Sequence, residues 1–227
     1  MSEQNSRWVL GTKSSANIKD YSEEIAFKDH KISFAVEHCR GKDVLDLGCV
    51  QHNPENYKSR FWLHKALAEV SKTLEGLDLY EEGVKYLQEV GYKIHVGNAE
   101  NFDLGKKYDV IVAGDIIEHL GDLSGFLVSC KSHLKPGGKL LISTPNPWYW
   151  RNVIKALLFG TVSNNPEHTL WICPVTLSHL VSRYGMKLEQ WNFGSRYIRD
   201  RLMPFPKGLK HTGFYAVIVR SDNDVIV

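Results

Sequence analysis

The sequence is poor in the features that mark several protein classes at once. Only four of its 227 residues are cysteine, Cys39, Cys49, Cys130 and Cys173, and no two form a Cys-x-x-Cys pair. That spacing excludes a disulfide frame or a thiolate zinc site and fits reduced thiols in a cytoplasmic protein. No apolar run approaches the roughly 20 residues that cross a bilayer, so no membrane span is expected. The stretch Met1–Trp8 lacks the apolar core of a signal peptide. Charge of one sign is missing as well: 28 Lys and Arg stand against 26 Asp and Glu, a formal net charge of +2. Attraction of the whole surface to nucleic acid is therefore not expected, which disfavours a nucleic-acid partner without setting a local basic patch aside. Internal repeats and low-complexity segments are absent. What remains is an ordinary globular composition, 43% hydrophobic, in a chain long enough for one domain with trimmings.

The apolar pattern divides the chain into alternating strands and helices. Residues 1 to about 18 are polar and read as a loose lead-in. Ile25, Ile32, Val36 and Cys39 recur at near-helical spacing from about Asp20 to Cys39, so residues 1–40 read as a lead-in and a helix packing on the rest. Residues 41–227 then form the main domain. Asp43–Leu47, Gly76–Leu79, Tyr92–Val96, Tyr108–Ala113 and Lys139–Thr144 read as strands, the last fed by a Pro136-Gly137-Gly138 turn. Helical spacing connects them at Leu63, Leu67, Val70 and Leu74, at Tyr80, Val84 and Leu87, and from Leu123 to Leu134. This interval demands crossover connections, hence an α/β fold with a mostly parallel sheet covered on both faces. A helix from Pro174 to Tyr184 precedes two strands, Lys187–Phe193 and Phe214–Val219, with no helix between them, so these pair antiparallel at one edge. The stretch of about 145–172, with Trp148, Tyr149, Trp150 and Trp171 among prolines, is too long for a plain connection and reads as a substrate-covering insert.

Open parallel sheets bind ligands beyond the carboxyl ends of their strands. After the first strand stands Asp46-Leu47-Gly48-Cys49-Val50-Gln51-His52, with Val50 and His52 where a dinucleotide site would place further glycines. Asp46 would repel a pyrophosphate there and attract a ligand carrying an amine and a sulfonium. That sign favours S-adenosylmethionine over a nicotinamide dinucleotide. Asp78 ends the second strand, where a carboxylate can grip both ribose hydroxyls. A lone Asp at such a place is commonly a turn or cap residue; polar positions at successive strand ends weigh against that.

These residues carry a family resemblance. Val44–Cys49, Gly76–Leu79, Gly97-Asn98-Ala99-Glu100, Tyr108–Leu120 and Leu134–Gly138 together resemble, in order, the motifs of class I S-adenosylmethionine-dependent methyltransferases, over roughly residues 25–193. The resemblance implies a Rossmann-like seven-stranded sheet with an antiparallel terminal strand. It also implies that Asp46, Gly48 and Cys49 hold the methionine end, that Asp78 and Leu79 lie at the ribose, that Asn98 and Ala99 lie at the adenine, and that Asp115 closes the cofactor set. The first loop departs from the family pattern: the later glycines are missing and Gln51–Arg60 makes it about ten residues longer.

A second group, Asp115-x-x-Glu118-His119, follows the fourth strand and reads as the start of a helix, where positions three and four apart share a face. Three readings stay open. The side chains could satisfy one another and the local backbone. His119 could act as a base in the acceptor pocket, joined by His168 and with Asp115 in the catalytic set. Or Asp115, Glu118, His119 and His168 could hold Mg²⁺, since ubiquinone-pathway and small-RNA O-methyltransferases carry a similar block, the latter with a further His before an aromatic helix. The resemblance implies methylation, O-directed, of a small molecule or glycan. Five Lys or Arg against one Asp in Arg196–His211 leave an RNA end or another anionic acceptor open beside an ordinary solvated loop. A nicotinamide-dependent oxidoreductase and a non-catalytic cofactor-binding protein are the competing classes.

Overall fold

In a computed structural model the described residues are 30–161, 165–194, 200 and 202–221. The lead-in, residues 20–29 of the expected first helix and part of the basic stretch after Arg196 lie outside them. The element order is α1 (His30–Cys39), β1 (Asp43–Leu47), α2 (Leu63–Ala68), β2 (Thr73–Asp78), α3 (Glu81–Glu89), β3 (Ile94–Val96), β4 (Tyr108–Gly114), α4 (Leu123–His133), β5 (Leu134–Pro145), α5 (Trp150–Phe159), α6 (Pro174–Ser182), β6 (Met186–Gly194), α7 (Lys207–Lys210) and β7 (Gly213–Arg220). The seven strands form one sheet in the order β3-β2-β1-β4-β5-β7-β6. The first five run parallel, and β7 is antiparallel to both β5 and β6. This is the doubly wound sheet that the strand-helix alternation implies.

Alternate side chains on each strand bury against opposite layers. Val44, Val110 and Val112 pack with Ile32, Val36, Leu63 and Leu67, on α1 and α2. Leu45, Leu47, Ile111 and Ala113 pack with Phe126, Leu127, Leu177 and Val181, on α4 and α6. Strands buried on both faces explain why β1 and β4 read as nearly continuous apolar runs. A third cluster, around Trp62, Val84 and Leu87, supports the extended first loop.

Three local expectations are corrected. Leu74 belongs to β2 rather than to a helix, because α2 already ends at Ala68. β3 begins at Ile94, two residues later than expected. The segment Leu134–Gly138 is an interruption within β5: Leu134 pairs with Tyr108 and Lys139 with Val110. Gly138 is obligatory there, since a Cβ would stand 2.9–3.2 Å from the carbonyl oxygens of Lys135, Tyr108 and Asp109.

Candidate functional site

The carboxyl ends of β1, β2, β4 and β5 open onto one edge of the sheet. At β1 the chain turns on Gly48, whose φ is +70° and whose amide donates to the Leu77 carbonyl at 2.8 Å. A side chain there is doubly excluded, because its Cβ would also lie 2.9 Å from Ile116 Cδ1. The turn then takes Gln51 (φ 55°) and His52 (φ 59°) through left-handed backbone without the help of glycine. The rest of the loop holds them in place. Asn56 Nδ2 donates to the Gln51 carbonyl at 3.3 Å, Asn53 Oδ1 accepts from Glu55 N at 3.0 Å, and Trp62 Nε1 donates to the Cys49 carbonyl at 2.6 Å.

Asp78 ties this loop to the second strand. Its two oxygens accept from Val50 N at 2.8 Å and Tyr80 N at 2.9 Å. A carboxylate has about four lone-pair directions, so acceptor capacity remains for a ligand's hydroxyls. Leu79, beside it, is exposed. Asn98 is exposed, with Oδ1 accepting from Glu100 N at 2.9 Å, and Ala99 is buried in the core. Asp46, also on β1, is buried with His64, whose Nδ1 lies 2.9 Å from its Oδ2. The Cys49 thiol is also buried, and burial together with Asp46 and Asp78 pushes its pKa far up. It stays a neutral thiol rather than a nucleophile.

The second group forms at the end of β4. Asp115 has φ +54°, and the turn after it, Ile117–His119, is a single 3-10 turn rather than the expected helix start. Asp115 Oδ1 accepts from Ser143 Oγ at 2.7 Å and Oδ2 from Lys31 Nζ at 2.8 Å. Glu118 points inward, 3% exposed, and accepts from Thr144 Oγ1 at 3.0 Å. Burial first, and the Asp115 charge second, raise its pKa to about 7. The insert returns here: Thr169 donates its amide to the Glu118 carbonyl at 2.8 Å, and its hydroxyl lies 2.7 Å from the Leu120 carbonyl. That tether sets the His168 ring edge-on to His119, centroids 4.8 Å apart, and the His52 ring lies 6.5 Å from His119. Burial, then the neighbouring His119, lowers the His168 pKa. His168 thus favours the neutral form that can accept a proton.

A family model described as a methyltransferase domain matches residues 20–190. This chain belongs to the S-adenosylmethionine-dependent methyltransferases. A probable S-adenosylmethionine-dependent methyltransferase of Mycolicibacterium smegmatis is 29% identical over 171 residues, 72% of this chain and 60% of that protein. The ubiquinone biosynthesis O-methyltransferase of Idiomarina loihiensis is 30% identical over 148 residues, 61% of this chain and 54% of that protein. The methyltransferase chain therefore spans little more than half the length of these relatives. In fold it is similar to the CcbJ methyltransferase of Streptomyces caelestis, with a TM-score of 0.61 at 16% identity over 86% of this chain and 90% of that one. Family membership replaces the oxidoreductase alternative.

The methyltransferase site brings together only part of the expected metal set. Glu118, His119 and His168 offer ligand atoms within 4.8 Å of one another. Asp115 stands outside, its backbone in the left-handed region and its carboxylate on Lys31 and Ser143. One carboxylate with two imidazoles does not fit Mg²⁺, which takes near-octahedral oxygen coordination. Several partners were not singled out from sequence: Lys31 on Asp115, His64 on Asp46, Thr144 on Glu118, and His52 beside His119. Only His52 gave a local signal, as a non-glycine in the departing loop.

Proposed function

We propose that this methyltransferase transfers the methyl group of S-adenosylmethionine to a hydroxyl oxygen of a small-molecule or glycan acceptor, with His119 and His168 handling the proton. The residues present suit the donor: Asp78 keeps acceptor capacity for a ribose diol, and Gly48 lets the chain turn tightly beside it. The donor, when bound, supplies a sulfonium-activated methyl, and the C–S bond breaks as the acceptor oxygen–carbon bond forms. The protein's share is alignment, for which orientation can supply roughly 7–11 kcal/mol, and removal of the acceptor proton. A neutral imidazole takes that proton, a role typically worth about 10²–10⁴-fold.

The observation that carries this reading is the edge-on His119–His168 pair, 4.8 Å between ring centroids, held where the insert is tethered to the turn after β4. The O-methyltransferase relatives support an oxygen acceptor. Domain assignment follows the same reading: residues 41–227 do the chemistry and 145–172 cover the acceptor.

The test is His119→Ala, assayed by S-adenosylhomocysteine release against a panel of phenolic and sugar acceptors. Turnover falls by roughly 10²-fold or more while S-adenosylhomocysteine binding, followed by calorimetry, is unchanged. Full turnover in the variant would overturn the base role.

A further inference from the structure

Helix α5 leaves the sheet from the same edge as the site, immediately after β5. Among the described residues its start is anchored. Tyr149 Oη donates to the buried Asp200 carboxylate at 3.0 Å, and the Trp150 ring packs on Phe205, 5.9 Å between centroids. From Ile154 onward every residue of the helix is exposed, with Leu157 at 80%, Leu158 at 69% and Phe159 at 72%. Ile154, Leu157 and Leu158 stand three and four positions apart, so they form one apolar face. Arg151 and Lys155, four apart, run along its flank. The adjoining segment 202–211 adds exposed Leu202 and the cations Lys207 and Lys210. It is fastened to the start of the insert by Asn146 Nδ2, which donates to the Gly208 and His211 carbonyls at 2.6 and 2.8 Å. Neither 145–161 nor 202–211 contains an Asp or Glu.

We infer that this face seats on an anionic lipid bilayer surface, with α5 lying in the plane of the interface. An amphipathic helix that puts Ile and Leu on one side and Lys and Arg at its flank suits the boundary between headgroups and acyl chains. The absence of carboxylates matches the negative potential of such a leaflet. Among the described residues no helix is long and apolar enough to cross a membrane, so the contact is peripheral. A second copy of the chain is the poorer occupant. A ten-residue helix is about 15 Å long, and one face of it falls short of the roughly 800 Å² per partner of a stable pair. Two copies would also bring Arg151, Lys155, Lys207 and Lys210 against cations of the same sign. The inference concerns adsorption alone, although α5 belongs to the 145–172 insert, and it is tested without reference to turnover.

The test is sedimentation of the full chain with vesicles of phosphatidylcholine, alone or with about one third phosphatidylglycerol. The protein pellets with the anionic vesicles and about tenfold less with the neutral ones, and added salt releases it. The double variant Leu157→Gln/Leu158→Gln binds at least about tenfold more weakly, given the apolar area it removes. Arg151→Gln and Lys155→Gln each cost about fivefold. All four positions are exposed, so circular dichroism and S-adenosylhomocysteine binding stay those of the wild type. Wild-type protein remaining in the supernatant with anionic vesicles overturns the inference, as does pelleting unaffected by the double leucine variant. A vesicle-indifferent protein whose dimer dissociates in that variant overturns it too, and makes the face a self-interface.

Discussion

Replacing Glu118 by glutamine should make this methyltransferase more stable at pH 8 and leave it unchanged at pH 4. Glu118 is buried, hydrogen-bonded by Thr144 Oγ1 at 3.0 Å, and its pKa stands at about 7 against an ordinary 4.5. A carboxyl raised on folding is protonated in the folded chain through a range in which the unfolded chain has already ionised. Folding is therefore undisturbed below about pH 4.5, loses stability as pH climbs towards 7, and carries the full penalty above that. With 1.36 kcal/mol for each pKa unit, the penalty approaches about 3 kcal/mol at pH 8, a ceiling because the turn can relax around the charge. Glutamine keeps the acceptor that Thr144 needs and never ionises, so it escapes the penalty.

The assay is urea unfolding of both proteins at pH 4, 6 and 8. The stability difference should grow from near zero to about 2–3 kcal/mol in favour of the variant. The Asp115 charge contributes to the raised pKa after burial does. Asp115→Asn should therefore shift the wild-type pH limb to lower pH without abolishing it. A variant that is less stable than wild type by the same amount at every pH would refute the reasoning, for it would mean that Glu118 is held as a carboxylate.

The other expectations are more local. Gly48→Ala should lose about 2–4 kcal/mol of stability, since it combines a φ of +70° with a Cβ 2.9 Å from Ile116; a melting temperature equal to wild type would contradict the geometry. Asp78→Asn should weaken S-adenosylhomocysteine binding about tenfold or more by calorimetry, and unchanged affinity would remove Asp78 from the donor site. Glu75 is buried among Lys106, His95 and Lys93, whose nitrogens lie 2.6, 2.7 and 3.0 Å from it, and its pKa is lowered to about 2. Because the folded value is depressed, its stabilisation is complete above about pH 4.5 and is lost as pH falls towards 2. Glu75→Gln should abolish that acid limb in pH-dependent melts, and retention of it would assign the limb elsewhere.

The parts of this molecule legible from sequence are those fixed by short-range periodicity. β1, β4 and β5 are buried on both faces, so their apolar runs reveal them, and the crossover interval then leaves little freedom in the strand order. Polar strand ends pointed to the crevice because sheet topology alone decides where strand ends gather. The local geometry around the candidate site is least legible where the backbone leaves ordinary conformations. Asp115 was grouped with Glu118 and His119 on the assumption of helical spacing, but a left-handed residue followed by a 3-10 turn rotates its carboxylate away, onto Lys31 from a strand-distant helix 84 residues earlier. His52 illustrates the same limit from the other side. The first loop departs from the family pattern by its missing glycines, yet Gln51 and His52 adopt the left-handed conformation that glycine would supply, with the His52 imidazole 6.5 Å from that of His119. Such strain persists only where neighbouring contacts overdetermine it. Here those contacts come from the extra residues themselves, through Asn53, Asn56 and Trp62. The lengthened loop and its missing glycines are therefore one adaptation, in which each departure from the family pattern supplies the reason for the other.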